Sequence, residues 1–400
     1  MIKGNATTPR IISWSERDPA QIDRVNEITG NITINQDKLY EVGRALKMGV
    51  HKLTPDTPIT INQNEYLTMA FWRDLAGITD PETGGDRYID LDDLKDAIFD
   101  ISASYIDEDE VFQGTVHFPK MRLGGFSINI GDPEAKVLRS FNCVGELCRL
   151  VVDNYLAYAE GTASGASHAI TFGGTGEPPL PLEDTIFKVI RIRSGVVSEP
   201  TTYSYVAGTL TITGCAVGDI HKVIYPAATA YTTLWTDNDV DPAAAYADQC
   251  EIYLRIGSGS EERIYKLQSV NIDGTFDRTD YEEIGNREKT QFGVREKTVT
   301  VTLNRLVDDF SLEQILADQA DPGDSKIIDV REFSDEIGLV VKIYTDNTKT
   351  SFAYGIRIDD LSPTTLQPLA AQPEEMNPAD NALESDNFLV TDSLDDLGLS

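Results

Sequence analysis

The sequence predicts a mainly β chain with two tandem β-sandwich or barrel domains, each carrying one flanking α-helix, and a small Ig-like β-sandwich inserted between them. Three observations support this fold class. Apolar and polar residues alternate over many short segments, blocks of sequence recur about 240 positions apart, and short strand patterns crowd the middle of the chain. The predicted domains are 1–160, an insert with its linkers over 161–240, and 241–400.

The repeat consists of three blocks that recur in the same order at nearly the same spacing. The longest block has six identities in 19 positions without a gap. Such collinearity predicts a duplicated unit, with one copy near 22–150 and the other near 250–400. The paired blocks are 34–43 with 276–285 (spacing 242), 59–66 with 299–306 (spacing 240) and 89–107 with 328–346 (spacing 239).

Each copy is predicted to be mostly β with one short helix. In the second copy, 266–276 alternates as a half-buried strand does, and 296–306 is rich in Thr and Val with the same period. The period becomes helical over 308–319, and 336–344 with 351–358 predicts a hairpin.

The first copy predicts a helix over 64–77 that ends at Gly77, followed by strands within 117–145. The duplication places 359–400 parallel to 124–145, so 387–391 is expected to be a wall strand.

Between the copies, the composition changes to that of an inserted domain. Residues 161–167 (GTASGAS) have the composition of a flexible linker. Residues 168–236 contain closely spaced short strands separated by turn residues, which predicts a small β-sandwich.

The charge is strongly acidic, with 34 Lys and Arg against 66 Asp and Glu, a formal net charge of −32. Such a chain is a poor binder of nucleic-acid backbones or anionic lipid. No uninterrupted apolar run approaches the ~18 residues of a membrane span, and no secretory signal is visible, so we expect no membrane partner. Four cysteines are too few for a disulfide scaffold, which favours folding in a reducing cytosol.

No arrangement typical of an enzyme or a cofactor site is present, so we expect neither activity nor cofactor. The sequence lacks nucleophile-elbow, phosphate-loop and dinucleotide motifs. Its four histidines stand apart from one another without metal-ligand spacing, so a zinc or acid–base role is not expected for any of them. They are His51, His117, His168 and His221.

One acidic segment partly matches a calcium loop. Asp237, Asp239 and Asp241 occupy positions 1, 3 and 5 of an EF-hand-like loop, with Asp248 at position 12. Pro242 stands where that loop needs glycine, and no helix is predicted before it. A solvated turn is therefore the favoured interpretation, and calcium binding the alternative.

Residues 266–316 resemble the segment typical of major tail tube proteins of tailed bacteriophages. In that pattern a strand is followed by a Tyr-x-Glu-Ile-Gly turn, a charged loop, a Thr/Val-rich strand and a helix. Here the turn is 281–285, the charged loop is 286–295, the Thr/Val-rich strand is 298–303 and the helix is 309–316. The segment 139–146 is also similar to wall strands of such proteins, and the insert is similar to small β-domains that decorate virion proteins.

The resemblance implies a structural virion protein that polymerises into stacked rings and forms a negatively charged conduit for DNA. Members with one domain form hexameric rings, and duplicated members form trimeric pseudo-hexamers, so a trimer is expected here with a hexamer as the alternative. The implied partners are further copies of the chain, the tape measure protein and DNA in the lumen, and the tail terminator and baseplate at the ends. The implied location is the virion tail, assembled in the host cytoplasm.

Two sets of residues are candidates for these contacts. Two basic loops are predicted to contact the next ring, with solvated hairpin tips as the alternative. Acids on or beside the proposed inner strands are predicted to face the lumen, because an acidic lumen does not hold DNA. The loop residues are Arg44, Lys47, Lys52, Arg287, Lys289 and Arg295, and the lumen residues are Asp37, Glu41, Asp273 and Asp277.

Two alternative functions remain open from the sequence. The chain is either another ring-forming tail component, such as a terminator or a baseplate hub, or a non-viral β-module that binds glycans or calcium. A terminator stops as a single ring, whereas a tube protein polymerises. A glycan-binding module requires exposed aromatic side chains on the insert.

Overall fold

The computed structural model describes most of the chain. The described residues are 8–33, 36–39, 49–52, 55–64, 67–78, 88–106, 112–132, 134–200, 202–229, 244–256, 262–264, 266–282, 289–306, 312, 316, 337–367, 371–372, 375–376 and 378–397.

The chain is mainly β, as the sequence predicts, and its first part forms an N-terminal unit of eleven strands and two helices among the described residues. The strands are β1 (Thr8–Ser13), β2 (Ala20–Gln21), β3 (Val25–Gly30), β4 (Gln36–Leu39), β5 (Gly49–Lys52), β6 (Ile59–Asn64), β7 (Tyr88–Asp90), β8 (Phe99–Ile106), β9 (Phe112–Ile130), β10 (Leu138–Val144) and β11 (Arg149–Val152). The helices are α1 (Ala70–Ala76) and α2 (Leu91–Asp96).

The insert and the C-terminal unit follow. The insert consists of β12 (Tyr155–Thr162), β13 (Ser167–Thr171), β14 (Lys188–Arg193), β15 (Val196–Ser198), β16 (Tyr203–Val206), β17 (Thr209–Thr213) and β18 (Ile220–Ala227). The C-terminal unit consists of β19 (Cys250–Ile256), β20 (Glu262–Arg263), β21 (Leu267–Glu282), β22 (Lys289–Leu306), β23 (Ile337–Tyr344), β24 (Phe352–Thr365), β25 (Ala371–Gln372), β26 (Glu375–Met376), β27 (Pro378–Ser385) and β28 (Leu389–Thr391).

One continuous sheet runs through both units in the order β3-β6-β10-β9-β21-β22-β27-β24, here called the eight-strand sheet. In a second layer, β8 and β11 pair with the first part of β9, and β1 pairs with β8. In the same way, β23 and β28 pair with the first part of β24, and β19 pairs with β23. Lys120 in β9 and Asp360 in β24 both have positive φ, 54° and 55°, near the point where each strand passes between layers. The apolar core fills the space between the layers.

The two units repeat one hairpin in the same register. Ile28 pairs with Ile61, and 242 positions later Val270 pairs with Leu303. The β-bulge after Val25 recurs after Leu267 at the same spacing, and the β4–β5 pairs also fall on β21–β22 pairs 242 positions later. A bulge costs ladder pairing, so its recurrence at the same place marks a common backbone design.

The register corrects one spacing and one predicted strand. The block at 59–66 aligns at 242 rather than 240, because Ile59 occupies the place of Val301. The wall strand equivalent to β10 is β27, since β10 pairs with β6 as β27 pairs with β22. The predicted strand 387–391 contains β28, which pairs with the second-layer part of β24 instead. Strand β27 contains Asp380 and Glu384, and these acidic residues masked its strand pattern in the sequence.

Helix α1 covers the apolar face of the eight-strand sheet. Trp72 packs edge-on against Phe126 and Phe141, with ring centroids 5.4 and 5.1 Å apart. The helix ends at Gly77, as predicted, because the left-handed φ of 72° suits glycine and its N–H bonds to the Arg73 carbonyl. It begins later than predicted, at Ala70, and Met69 before it gives no side-chain cap.

Helix α2 was not predicted from the sequence, whereas a helix over 308–319 was. Asp90 begins α2 with a capping box, accepting hydrogen bonds from the backbone N–H groups of Asp92 and Asp93. Within the predicted helix 308–319, Leu312 and Leu316 are the described positions, and both have helical backbone and buried side chains.

The insert has two sheets, β12-β18-β14-β15 and β13-β17-β16, with an apolar core of its own between them. The structure corrects the predicted linker 161–167, because Gly161 and Thr162 end β12 and Ser167 begins β13. Small residues there make a turn between paired strands, so composition alone mistook a turn for a linker. The division of the chain at 160/161 and 240/241 stays a prediction, and its first boundary falls inside β12.

Neither helix described in full has the length and apolarity that crossing a bilayer requires.

Candidate assembly edges and lumen face

The two units meet at an internal junction between β9 and β21. Six antiparallel pairs join the strands, from Gly125 with Thr275 to Ile130 with Val270. Because this junction completes the ladder on both sides, Val270 and Ile130 are almost fully buried. The junction is therefore an intramolecular example of edge-to-edge pairing between two copies of the unit.

Side chains on the second layer reinforce this junction. Strand β28 of the C-terminal unit pairs with β7 of the N-terminal unit. Phe388 lies 4.8 Å from the Phe126 ring and 5.8 Å from the Trp72 ring, and Arg73 pairs with Asp392 at 2.8 Å. The contact thus combines two strand pairs, an aromatic cluster and an ion pair.

The same two edges are open at the outer ends of the chain. Among the described residues, β3 pairs with β6 alone, although its equivalent β21 pairs on both sides. Ile28 is half-buried where Val270 is buried, and Ile32 is 49% exposed where its equivalent Gly274 is buried. The difference in exposure follows from the missing neighbouring strand.

At the other end of the chain, β24 has the place of β9. Thr365 pairs with Ala382 as Gly125 pairs with Asn142, each 240 positions earlier, so Thr365 is the counterpart of Gly125. Strand β9 pairs with β21 on the side away from β10. Within the described residues, the end of β24 has no strand on the corresponding side, and Thr364, Thr365 and Gln367 are exposed.

In the part of the chain that the structure describes, the second layer also has an open edge, at β11. Leu150 pairs with Val116 as Thr391 pairs with Gly355, so β11 is the counterpart of β28. Thr391 is covered by β7 and fully buried, whereas Leu150 is 68% exposed and Val152 is 67% exposed. Large apolar side chains on an uncovered strand are typical of an interaction surface.

One face of the eight-strand sheet is polar and acidic. Alternation along β22 places Val299, Val301 and Leu303 in the core and the threonines between them on the opposite face. Where the described strands pair, that polar face carries acids, and Arg122 and Arg295 lie at its margins. The acids are Glu27, Asp273, Asp277, Glu296, Asp380 and Glu384.

Some of the predicted site residues are among the described residues. Asp273 and Asp277 lie on the polar face, and Asp273 is opposite Ser127 across the internal junction. Asp37 lies in β4. Arg295 is exposed in β22, and Lys52 and Lys289 lie in β5 and β22. The predicted charged loop 286–295 is therefore wrong from Lys289 onward, because those residues pair with β21 as a strand. Glu41, Arg44, Lys47 and Arg287 lie outside the described residues.

Of the calcium candidates, Asp248 lies in a short 3₁₀ turn, Ala247–Gln249, with an exposed side chain. Asp237, Asp239 and Asp241 lie outside the described residues. The calcium alternative stays a prediction.

The insert docks on the N-terminal unit through a buried lysine. Lys222 of β18 donates hydrogen bonds to the backbone carbonyls of Ser13, at 3.4 Å, and Arg17, at 2.5 Å, and its ammonium lies 3.9 Å from Glu160. Burial lowers the Lys222 pKa to about 8, while Glu160 opposes that shift.

A buried polar network lies beside this contact. Asp100 accepts hydrogen bonds from the Trp14 indole at 2.7 Å and from the Lys120 backbone at 2.9 Å, and lies 2.7 Å from His117 Nε2. His117 and Asp100 are fully buried, so the pair fixes where β8, β9 and the start of the chain meet.

Sequence reasoning missed one cluster inside the insert. His168 of β13 and His221 of β18 are 53 positions apart, yet their Nδ1 atoms lie 2.8 Å apart. Cys215 Sγ lies 3.8 Å from His221 Nε2, and Asp219 belongs to the same group. Burial and the neighbouring His168 lower the His221 pKa to about 4. No sequence spacing signalled this cluster, because strand pairing brings distant residues together.

Asp219 is itself held in place. Arg193 donates two hydrogen bonds to its carboxylate, at 2.8 and 2.6 Å, and the Ala216 N–H donates a third at 2.8 Å. The hydrogen bond from Arg193 is the main reason that the Asp219 pKa lies well below its ordinary value.

No protein-family model and no curated protein matches the sequence. Among solved structures, one similar chain belongs to the cryo-EM structure of the anti-feeding prophage (AFP) baseplate, 6-fold symmetrised. The two chains are 8% identical, the alignment covers 36% of this chain and 92% of that chain, and the TM-score is 0.25. A similarity of this size supports no conclusion about function.

Proposed function

We propose that this chain is a structural subunit of a phage-tail-type assembly and that it polymerises into stacked rings forming a tail tube. The observation that carries the proposal is the internal junction. Two copies of one unit already pair edge to edge within the chain, and among the described residues both edges used there are open on the outer sides. Head-to-tail repetition of such a heterologous contact produces a closed ring when the rotation closes.

The internal junction also supplies a template for the contact between subunits. Transferring the β9–β21 register to the residues that follow β24 of one subunit and β3 of the next pairs Gln367 with Asn31, as Ser127 pairs with Asp273. The same transfer sets Leu366 opposite Ile32, where the internal junction has Phe126 opposite Gly274. Leu366 is smaller than its counterpart Phe126, and Ile32 is larger than its counterpart Gly274, so the volume is redistributed across the contact.

The ring that follows is proposed to contain three chains. Each chain contributes two units, so a trimer has six equivalent units and a hexamer has twelve. In either ring the acidic polar face lines the inner wall, with Asp273 and Asp277 among its residues, and DNA passes without being held. The basic residues of the predicted loops are proposed to contact the next ring.

Electron microscopy of the purified full-length chain tests the function. We expect tubes or stacked rings with an axial hole, and six-unit symmetry in end-on averages. Single rings that never stack would favour the terminator or hub alternative. A protein that stays monomeric at high concentration and across ionic strengths would contradict the ring proposal altogether.

Disulfide trapping tests the register separately. The double variant Asn31→Cys/Gln367→Cys is expected to form disulfide-linked oligomers under mild oxidation, because the two positions are opposite each other across the proposed contact. The matched control Asn26→Cys/Gln367→Cys lies on the same edge but out of register and is expected to give little product. Rings without selective trapping would overturn the register while leaving the ring intact.

A further inference from the structure

The insert carries a thiol, a carboxylate and an imidazole around one turn. Cys215 and Asp219 lie in the turn between β17 and β18, and His221 is in β18. One candidate ligand atom from each residue lies within 4.8 Å of the others. Asp219 and His221 are almost completely buried. These three residue types are common ligands of zinc in proteins.

The sulfur–nitrogen distance suits a shared ion. Bonds of about 2.3 Å to sulfur and about 2.0 Å to nitrogen at a tetrahedral angle place the two ligand atoms about 3.5 Å apart. Cys215 Sγ and His221 Nε2 are 3.8 Å apart. A small inward movement of either side chain therefore completes the pair.

His168 occupies the supporting position that metal-bound histidines use. Its Nδ1 lies 2.8 Å from the His221 Nδ1, so one of the two rings donates a proton to the other. When His221 donates, its Nε2 keeps a lone pair directed to the side where Cys215 lies. A hydrogen bond from the second ring nitrogen fixes the tautomer and orientation of a ligating histidine.

The Asp219 carboxylate accepts three hydrogen bonds and keeps capacity for a fourth bond. Oδ2 accepts hydrogen bonds from Arg193 and Ala216, and Oδ1 accepts one bond from Arg193. A carboxylate has about four lone-pair positions, so one at Oδ1 remains. Arg193 and the turn hold this oxygen in place without using it fully.

We propose that Cys215, Asp219 and His221 bind a zinc-type divalent cation, with His168 as the positioning residue and solvent at the fourth position. On binding, the Cys215 thiol loses its proton to solvent and sulfur forms a bond to the metal. The ion then links the turn to β18 and stabilises the insert, a role independent of ring formation.

Cobalt titration of the full-length metal-free protein tests the site, because Co²⁺ reports both geometry and sulfur ligation. We expect intense visible bands typical of tetrahedral Co²⁺ together with a near-ultraviolet thiolate charge-transfer band, and displacement of both by Zn²⁺. Cys215→Ser is expected to abolish the charge-transfer band, and the control Cys148→Ser to retain it. His168→Gln is expected to keep the band but weaken binding about 10- to 100-fold.

Absence of the thiolate band in the wild-type chain, or its persistence in Cys215→Ser, would overturn the site. A second measurement applies if that variant fails to fold. Zn²⁺ is expected to protect Cys215 of the wild-type protein from thiol alkylation, as located by peptide mapping. Equal labelling of Cys215 with and without Zn²⁺ would contradict the proposal.

Discussion

Gly274 and Phe126 face each other across the internal junction, and the Phe126 ring leaves no room for a side chain at position 274. A Cβ on Gly274 would lie 2.2 Å from the Phe126 ring. The equivalent positions at the outer edges are Ile32 and Leu366, which have a side chain on both strands. A single pattern of pairing thus accepts two different ways of filling the same space.

Gly274→Ala is expected to destabilise the chain by about 1–3 kcal/mol, because the new methyl group overpacks a buried contact. Adding Phe126→Leu is expected to recover part of the loss, as the smaller ring-free side chain makes room. Chemical unfolding of the single and double variants measures the coupling. Gly165→Ala serves as the control, since nothing lies within 4 Å of a Cβ there; a loss equal to that control would contradict the overpacking argument.

At the scale of elements, β18 connects the insert to the N-terminal unit through Lys222. The sequence shows this lysine inside an apolar strand pattern but does not show what neutralises it. Only the docked arrangement supplies the carbonyls of Ser13 and Arg17 and the carboxylate of Glu160. A buried cation is tolerated there because several oxygens surround it.

This arrangement predicts a pH dependence. The folded-state pKa of Lys222, about 8, lies below the ordinary 10.5, so between these values the unfolded chain holds a proton that the folded chain lacks. Stability from this group therefore rises as pH increases from about 8 toward 10.5. The rise approaches about 1.4 kcal/mol per pH unit within the window.

Unfolding free energies of the wild type and Lys222→Met at pH 7.5 and 9.5 measure the effect by difference. The unfolding free energy of the wild type is expected to increase relative to that of the variant at the higher pH. Lys188→Met, on the neighbouring strand β14 and paired with Glu199 at the surface, is the control. A difference that does not change with pH would exclude the buried lysine as the cause.

In the whole molecule, the two units form a sheet whose strand pairing can continue at both ends. Its eight-strand sheet has an internal partner for β9 and for β21, and open counterparts at both ends. Exposed apolar residues at these ends, Ile32 and Leu150 among them, are unfavourable on an isolated subunit and favourable in an assembly.

Ile32→Asp is expected to block ring formation while leaving the subunit folded, because Ile32 is exposed in the single chain and buried in the proposed contact. An unpaired carboxylate there is expected to raise the concentration needed for assembly at least tenfold, given the ~1.5–3 kcal/mol that burial of such an apolar side chain contributes. Light scattering coupled to size-exclusion chromatography measures the change.

Val206→Asp is the matched control, since Val206 is 70% exposed and lies on β16, in a sheet of the insert that is separate from the eight-strand sheet. Its rings are expected to form as in the wild type. Normal assembly of Ile32→Asp would contradict the proposed β24–β3 contact.

The mainly β class, the hairpin of 336–358 and the end of α1 at Gly77 were predictable from the sequence, because alternation, turn residues and a helix-ending glycine are local signals. The sequence also indicated the duplication, since collinear blocks need no tertiary information. It misjudged the 161–167 turn and the wall strand near 387–391, where glycine content or acidic residues masked strand pairing.

Which of the described edges are paired and which are open could not be predicted from the sequence, because that depends on pairs such as Ser127 with Asp273, far apart in sequence. The same is true of the His168–His221–Cys215 cluster, whose members meet through strand pairing. Local sequence specifies what each strand presents on its two faces. Long-range register decides which strand it pairs with, and the proposed functions follow from that pairing.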